Sequence, residues 1–139
     1  MIFKHKLLNS LLTIKIKNKV TLHILKVIIM SSNFPKPISN LPEAKIPIEG
    51  VKGYLSQGEN NQIIFMEFSK DVDIPKHSHE SQWEVVIKGK VDLEIDGIKK
   101  TYRQGDTFFI PKGITHSARV YAGYTSIAFF NEKQRYKKK

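Results

Sequence analysis

Val91, Leu93 and Ile95 alternate with Asp92, Glu94 and Asp96, so an apolar side chain falls at every second position. That period of two belongs to an extended strand with one buried and one wet face. Similar short apolar runs predict strands over 51–56, 63–68, 82–88, 107–110, 114–120 and 124–130. Turn signals separate them: Gly58-Glu59-Asn60-Asn61, Asp96-Gly97 and Pro111-Lys112-Gly113. An Asp-Gly pair is a preferred centre for a two-residue hairpin. No helical period stands out after Gly50. Many short strands at this spacing predict an all-β fold of antiparallel sheets, a sandwich or a closed barrel.

Upstream the pattern changes twice. Residues 31–47 turn to Ser, Asn and Pro, with Pro35, Pro37, Pro42 and Pro47. Proline removes backbone donors and fixes φ, which predicts an extended linker or edge segment over 31–49 rather than a helix. Residues 1–30 are rich in Leu, Ile and Lys. Lys15, Lys17 and Lys19 interrupt their apolar run, and no small-residue cleavage pattern follows, so neither an export signal nor a spanning helix is expected. We read Met30 as the natural start, with 1–30 an atypical basic extension, either disordered or absent from the native protein. An amphipathic helix on a membrane surface is the sharper alternative.

Charge changes this picture little. The chain has 139 residues and a net charge of +10. Six lysines before Met30, with no acids, account for six of those charges and leave +4 for the rest. Lys137, Lys138 and Lys139 hold three more, so the strand-rich body is close to neutral and 132–139 reads as a solvated basic tail. Neither specific nucleic-acid binding nor membrane association is expected. The absence of cysteine excludes disulfides, thiolate metal sites and cysteine nucleophiles. A cytoplasmic location is the default expectation.

The chemistry concentrates in histidines. His77-Ser78-His79 places two imidazoles on the same side of an extended segment, about 7 Å apart at Cα, a spacing that suits two ligands of one metal. Gln82 and Glu84 follow at a second i, i+2 pair on the strand 82–88. His116 arrives just after Pro111-Lys112-Gly113, at the start of another strand. An HxH alone is weak. Two neighbouring oxygen-bearing side chains and a remote third histidine strengthen it.

On these residues the sequence resembles the cupin superfamily. The first motif reads from His77 through His79 to Gly89; the second runs from Gly105 through Pro111-Lys112-Gly113 to His116. Val120 stands where the second motif expects an asparagine. The resemblance implies a jelly-roll β-barrel of two antiparallel sheets over 50–131. It also implies one divalent ion per chain, Fe, Mn, Ni or Zn, held by His77, His79 and His116. Counting forward from His79 selects Glu84 as the fourth ligand, whereas counting back from Gly89 selects Gln82. A hairpin glycine fixes strand register, so Gln82 is favoured. Glu84 is then an acceptor behind Gln82 or a catalytic base in the pocket; its plainer reading is an inward carboxylate paired to a lysine. With Gln82 bound, the ion keeps its full charge and favours anionic ligands.

Alternation points Phe65, Glu67, Phe108, Ile110 and Ala118 toward the pocket. Trp83, Val85 and Ile87 then face outward as an apolar stripe, which predicts a symmetric homodimer, with the proline-rich arm crossing onto the partner. The leading functional expectation is a metal-dependent enzyme acting on a small polar or anionic molecule, with dioxygenase chemistry to be tested first and isomerisation behind it. The alternative is a non-catalytic module binding a small or sugar-like ligand.

Overall fold

The computed structural model of the chain describes residues 19–22, 24 and 31–139. These fall into two compact units, Met1–Ser31 and Ser32–Lys139. In the first, 19–22 and 24 are helical; the expectations for 1–30 otherwise lie outside the described residues. Among the described residues no helix is long and apolar enough to cross a membrane.

The second unit carries a one-turn helix, α1 (Lys36–Ser39), and nine strands. These are β1 (Val51–Gln57), β2 (Gln62–Phe68), β3 (Val72–His77), β4 (Gln82–Lys88), β5 (Lys90–Ile95), β6 (Ile98–Arg103), β7 (Thr107–Ile110), β8 (His116–Val120) and β9 (Thr125–Phe130). One sheet has the order β1-β2-β9-β4-β7 and the other β3-β8-β5-β6, with every pairing antiparallel. This is the double-sheet all-β jelly roll that the alternation and motifs predicted, arranged as two ladders. Leu55, Ile64, Val86, Ile110, Ala128 and Phe130 are among its most buried apolar residues.

Local chemistry explains the pairings. Asp96 and Gly97 both take positive φ, 49° and 78°, and join β5 to β6 through the pair Ile95–Ile98. Positive φ at both central residues is what a type I′ hairpin requires. Gly89 turns β4 into β5 at φ 78°. A Cβ there would lie 2.9 Å from the Tyr124 Cα, so only glycine lets the two backbones approach.

Two expectations need correction. On β2 it is Gln62, Ile64, Met66 and Phe68 that are buried, whereas Phe65 and Glu67 occupy the other face. Phe65 pairs with Tyr54 across the strands and packs edge-on against Phe34, 5.4 Å between centroids. Both faces of β2 are rich in apolar residues, so alternation alone could not fix which one turns inward.

The proline-rich arm is also not wholly extended. Pro35 caps α1 and Pro37 sits in its first turn, where a missing N–H costs nothing because that donor has no intrahelical partner. Within the chain, Ser32 Oγ donates to Glu67 Oε1 at 2.6 Å, and Ala44 is buried in the core.

Lys137, Lys138 and Lys139 of the basic tail are exposed, while its main chain is tied down. Gln62 exchanges two 2.8 Å hydrogen bonds with the Tyr136 backbone. The Lys45 N–H donates to the Lys137 carbonyl at 2.7 Å, and the Lys139 N–H to the Glu43 carbonyl at 2.8 Å.

Candidate metal centre

β3 carries His77 to the rim of the four-stranded sheet. The register of β3 against β8 shifts between Ile74 and His77, across Pro75 and Lys76. Proline lacks the N–H a regular ladder needs, which accounts for a break at this point. Beyond it His77 pairs directly with His116, the first residue of β8. His79 follows in the loop, where its carbonyl accepts the Gly113 N–H at 2.9 Å. That bond joins the His77-Ser78-His79 segment to the Pro111-Lys112-Gly113 turn.

The three rings converge. Centroid separations are 4.3 Å for His77–His116, 4.6 Å for His79–His116 and 5.3 Å for His77–His79. One nitrogen from each lies within 4.8 Å of the others. His116 is buried, and His77 and His79 are half-buried.

Each ring is aimed by the main chain. Nδ1 of His77 lies 2.8 Å from the Pro75 carbonyl, Nδ1 of His79 2.6 Å from that of Glu80, and Nδ1 of His116 2.9 Å from that of Ile114. A carbonyl cannot donate, so each Nδ1 carries the proton and each neutral ring presents an Nε2 lone pair. The Nε2 atoms of His79 and His116 face each other at 3.0 Å. Two lone pairs that close repel unless a cation or a proton lies between them. Two nitrogens each about 2.1 Å from one ion, at a right angle, are about 3.0 Å apart. The donor set therefore fits a divalent ion.

Protonation would compete with such an ion, and the site disfavours it. Burial pulls the His79 pKa down to about 4; its bond to the Glu80 carbonyl opposes this, and the Arg135, His116 and His77 charges add to it. His116 is lowered too, first by burial, with the His77 and Arg135 charges adding and its bond to the Ile114 carbonyl opposing.

Gln82 and Glu84 enter from the other sheet, on β4. Both are buried, and Trp83 between them is exposed. Gln82 Nε2 donates to Glu84 Oε2 at 2.5 Å, which leaves the Gln82 carbonyl oxygen as its other polar atom. Tyr124 donates its hydroxyl to Glu84 Oε1 at 2.8 Å. Glu84 is not part of the three-histidine group, and no lysine pairs with it among the described residues. Burial raises its pKa, partly offset by the Ser126 and Tyr124 hydroxyls and by Gln82.

These groups line a cavity of about 350 Å³ between the sheets. Phe108, Ile110 and Ala118 line it as expected, together with Met66, Phe68, Val91, Leu93 and Phe130. Sequence reasoning missed other parts of the wall, among them Tyr124, residues 45–48, Arg135 and Tyr136. Tyr124 was legible only as the start of a strand, and Arg135 was hidden in a basic run.

Comparisons with known proteins agree with this geometry. Residues 64–122 match the family described as the cupin domain. An RmlC-like cupin from Shewanella frigidimarina has a similar structure, with a TM-score of 0.61 and 25% identity over 76% of this chain and 94% of that one. KdgF from a Halomonas species is similar at a TM-score of 0.57 and 19% identity, over 66% of this chain and 87% of that one. Oxalate decarboxylase from Bacillus subtilis, a protein with Mn(II) centres, gives a TM-score of 0.59 and 20% identity over 70% of this chain and 29% of its own. An uncharacterized protein of Aquifex aeolicus is 39% identical over 56 residues, 40% of this chain, and the match spans less than half, 46%, of that relative. Residues 64–122 of this chain thus form a cupin domain.

Proposed function

We propose that the chain is a small metal-dependent enzyme, in which His77, His79 and His116, with the amide oxygen of Gln82, would hold one divalent ion. The observation that carries this reading is the convergence of one ring nitrogen from each of three histidines whose Nδ1 atoms are all pinned to main-chain carbonyls. Three imidazoles and a neutral amide leave the charge of an ion uncompensated, so a bound ion would supply Lewis acidity and attraction for an anionic ligand. Nitrogen and oxygen donors suit Fe, Mn, Ni or Zn. The Mn(II) centres of the structurally similar oxalate decarboxylase support testing manganese and iron first, with O₂-dependent cleavage as the first reaction class.

The chain's own residues divide the remaining work. The apolar wall excludes water and holds the body of a small ligand. Glu84, the acidic side chain of the pocket, is held next to Gln82 and is the candidate proton carrier. Metal analysis of protein purified without chelator tests the reading. About one Fe, Mn, Ni or Zn per chain is expected, and its loss in His116→Ala. A metal content unchanged by that substitution would sink it.

A binding module remains the second reading, and one observation favours it. Both Glu84 oxygens already accept hydrogen bonds, from Gln82 and Tyr124, which ties up a base. Glu84→Gln separates the two: an enzyme keeps its ligand affinity and loses turnover, whereas a module has no turnover to lose.

We also propose a two-fold homodimer formed through the outer face of the five-stranded sheet. Trp83 is 42% exposed, Phe109 opposite it on β7 is 56% exposed, and Ile87 is 40% exposed. Three large apolar side chains so placed suit burial by a second copy of the chain.

A further inference from the structure

We propose that Arg135 is the anion-binding residue of the metal pocket, and that the pocket takes a small carboxylate with an apolar body. The inference rests on the reading of this cavity as a ligand site and names its substrate class.

Arg135 lies beyond β9 in the segment that Gln62 ties down. Its guanidinium carbon stands 5.8 Å from the Phe130 ring and 5.4 Å from the Tyr136 ring, and all three residues line the cavity. Aromatic faces attract a guanidinium and restrict its plane, so two of them fix the fork in place.

Among the described residues the fork has no hydrogen-bond or ion-pair partner. Its Nε is buried without a hydrogen bond, and among the described residues no carboxylate forms an ion pair with Arg135. Glu132, three residues earlier, also buries an unbonded oxygen but makes no ion pair with it. A buried donor of this kind is stabilised once an acceptor arrives. Arg135 and all three histidines line the same cavity, so a ligand meeting the fork would share that space with them.

Chemistry narrows the acceptor. A guanidinium presents parallel N–H groups that match the two oxygens of a carboxylate. A phosphate usually recruits several donors, whereas Arg135 stands against the Phe130 and Tyr136 rings in a mostly apolar cavity whose other lysine or arginine is Lys45. An apolar body with one carboxylate satisfies both the wall and the fork.

The test uses calorimetric titration of the full chain, as purified and after chelation. The probes are butyrate, hexanoate and phenylacetate, each beside its uncharged primary amide. At least one acid is expected to bind about tenfold more tightly than its amide, and in chelated Arg135→Gln that preference falls to about one. Arg135→Lys, which keeps the charge and the stem, guards against a folding failure. It is expected to weaken the preference, and Glu132→Gln is expected to leave it intact.

Acids and amides binding alike, no binding by any of the three acids, or a preference that survives both Arg135 substitutions would overturn the proposal. Metal content measured on the same samples separates the two ideas. A chain that takes no metal but keeps an Arg135-dependent preference refutes the metal reading alone. A chain that loads metal without that preference refutes this one alone.

Discussion

Gln82 donates its side-chain amide to Glu84 from two residues away on the same face of β4, at 2.5 Å. The bond orients the amide, leaving the carbonyl oxygen of Gln82 as its remaining polar atom. Gln82→Leu removes both that oxygen and a donor to Glu84. It is expected to weaken metal binding about tenfold or more, and to cost about 1–3 kcal/mol of stability by leaving the buried carboxyl short of a partner. Metal titration and urea denaturation of the same sample check the two effects.

The metal-free protein should have a stability maximum in pH. His79 is depressed to about 4 in the fold from an ordinary 6.5, so the unfolded chain takes up its proton first. Stability is therefore lost as pH falls from 6.5 toward 4. Glu84 has the opposite sign: its pKa is raised by burial, so its contribution is full below 4.5 and is lost as pH rises through its folded value. In chelated protein, melting temperature against pH should flatten on the acid side in His79→Phe and on the alkaline side in Glu84→Gln.

Two glycines give a paired test of the backbone. Gly89 and Gly97 have the same φ, 78°, but a Cβ at Gly89 meets the Tyr124 backbone while one at Gly97 meets nothing within 4 Å. Gly97→Ala is expected to cost about 1–2 kcal/mol from the left-handed conformation alone. Gly89→Ala should cost clearly more, because backbone atoms must also move. Equal losses in denaturant melts would show that the close approach is unimportant.

The exposed aromatic pair of β4 and β7 predicts the assembly. Wild-type protein is expected to sediment at twice the 16.0 kDa chain mass. Trp83→Glu with Phe109→Lys should shift it to one chain mass without changing its circular dichroism. Sedimentation of the wild type as a single chain would remove the dimer.

Strand periodicity and hairpin chemistry were legible in the sequence because each depends on residue identity at short range, whereas the grouping of remote His116 with His77 and His79 came from the two-motif resemblance. β3 was not, since Pro75 and Lys76 interrupt its pattern and part of its pairing is irregular. The inward face of β2 was misread because Phe65 is as apolar as Ile64. The contribution of Arg135 was invisible for a different reason. The segment that holds it is fixed by two glutamines, Gln57 and Gln62, and by main-chain bonds to Glu43 and Lys45, which leave no repeating signature.

All three imidazoles take their bearing from carbonyls no more than two residues away along their own chain. Their aim is thus largely locally inherited, with Phe130 the wall residue that packs edge-on against the His79 ring. Substitutions elsewhere in that wall can recut the cavity for a different guest while the chelating geometry passes through unaltered, which makes this chain a natural starting point for altering selectivity without rebuilding the centre.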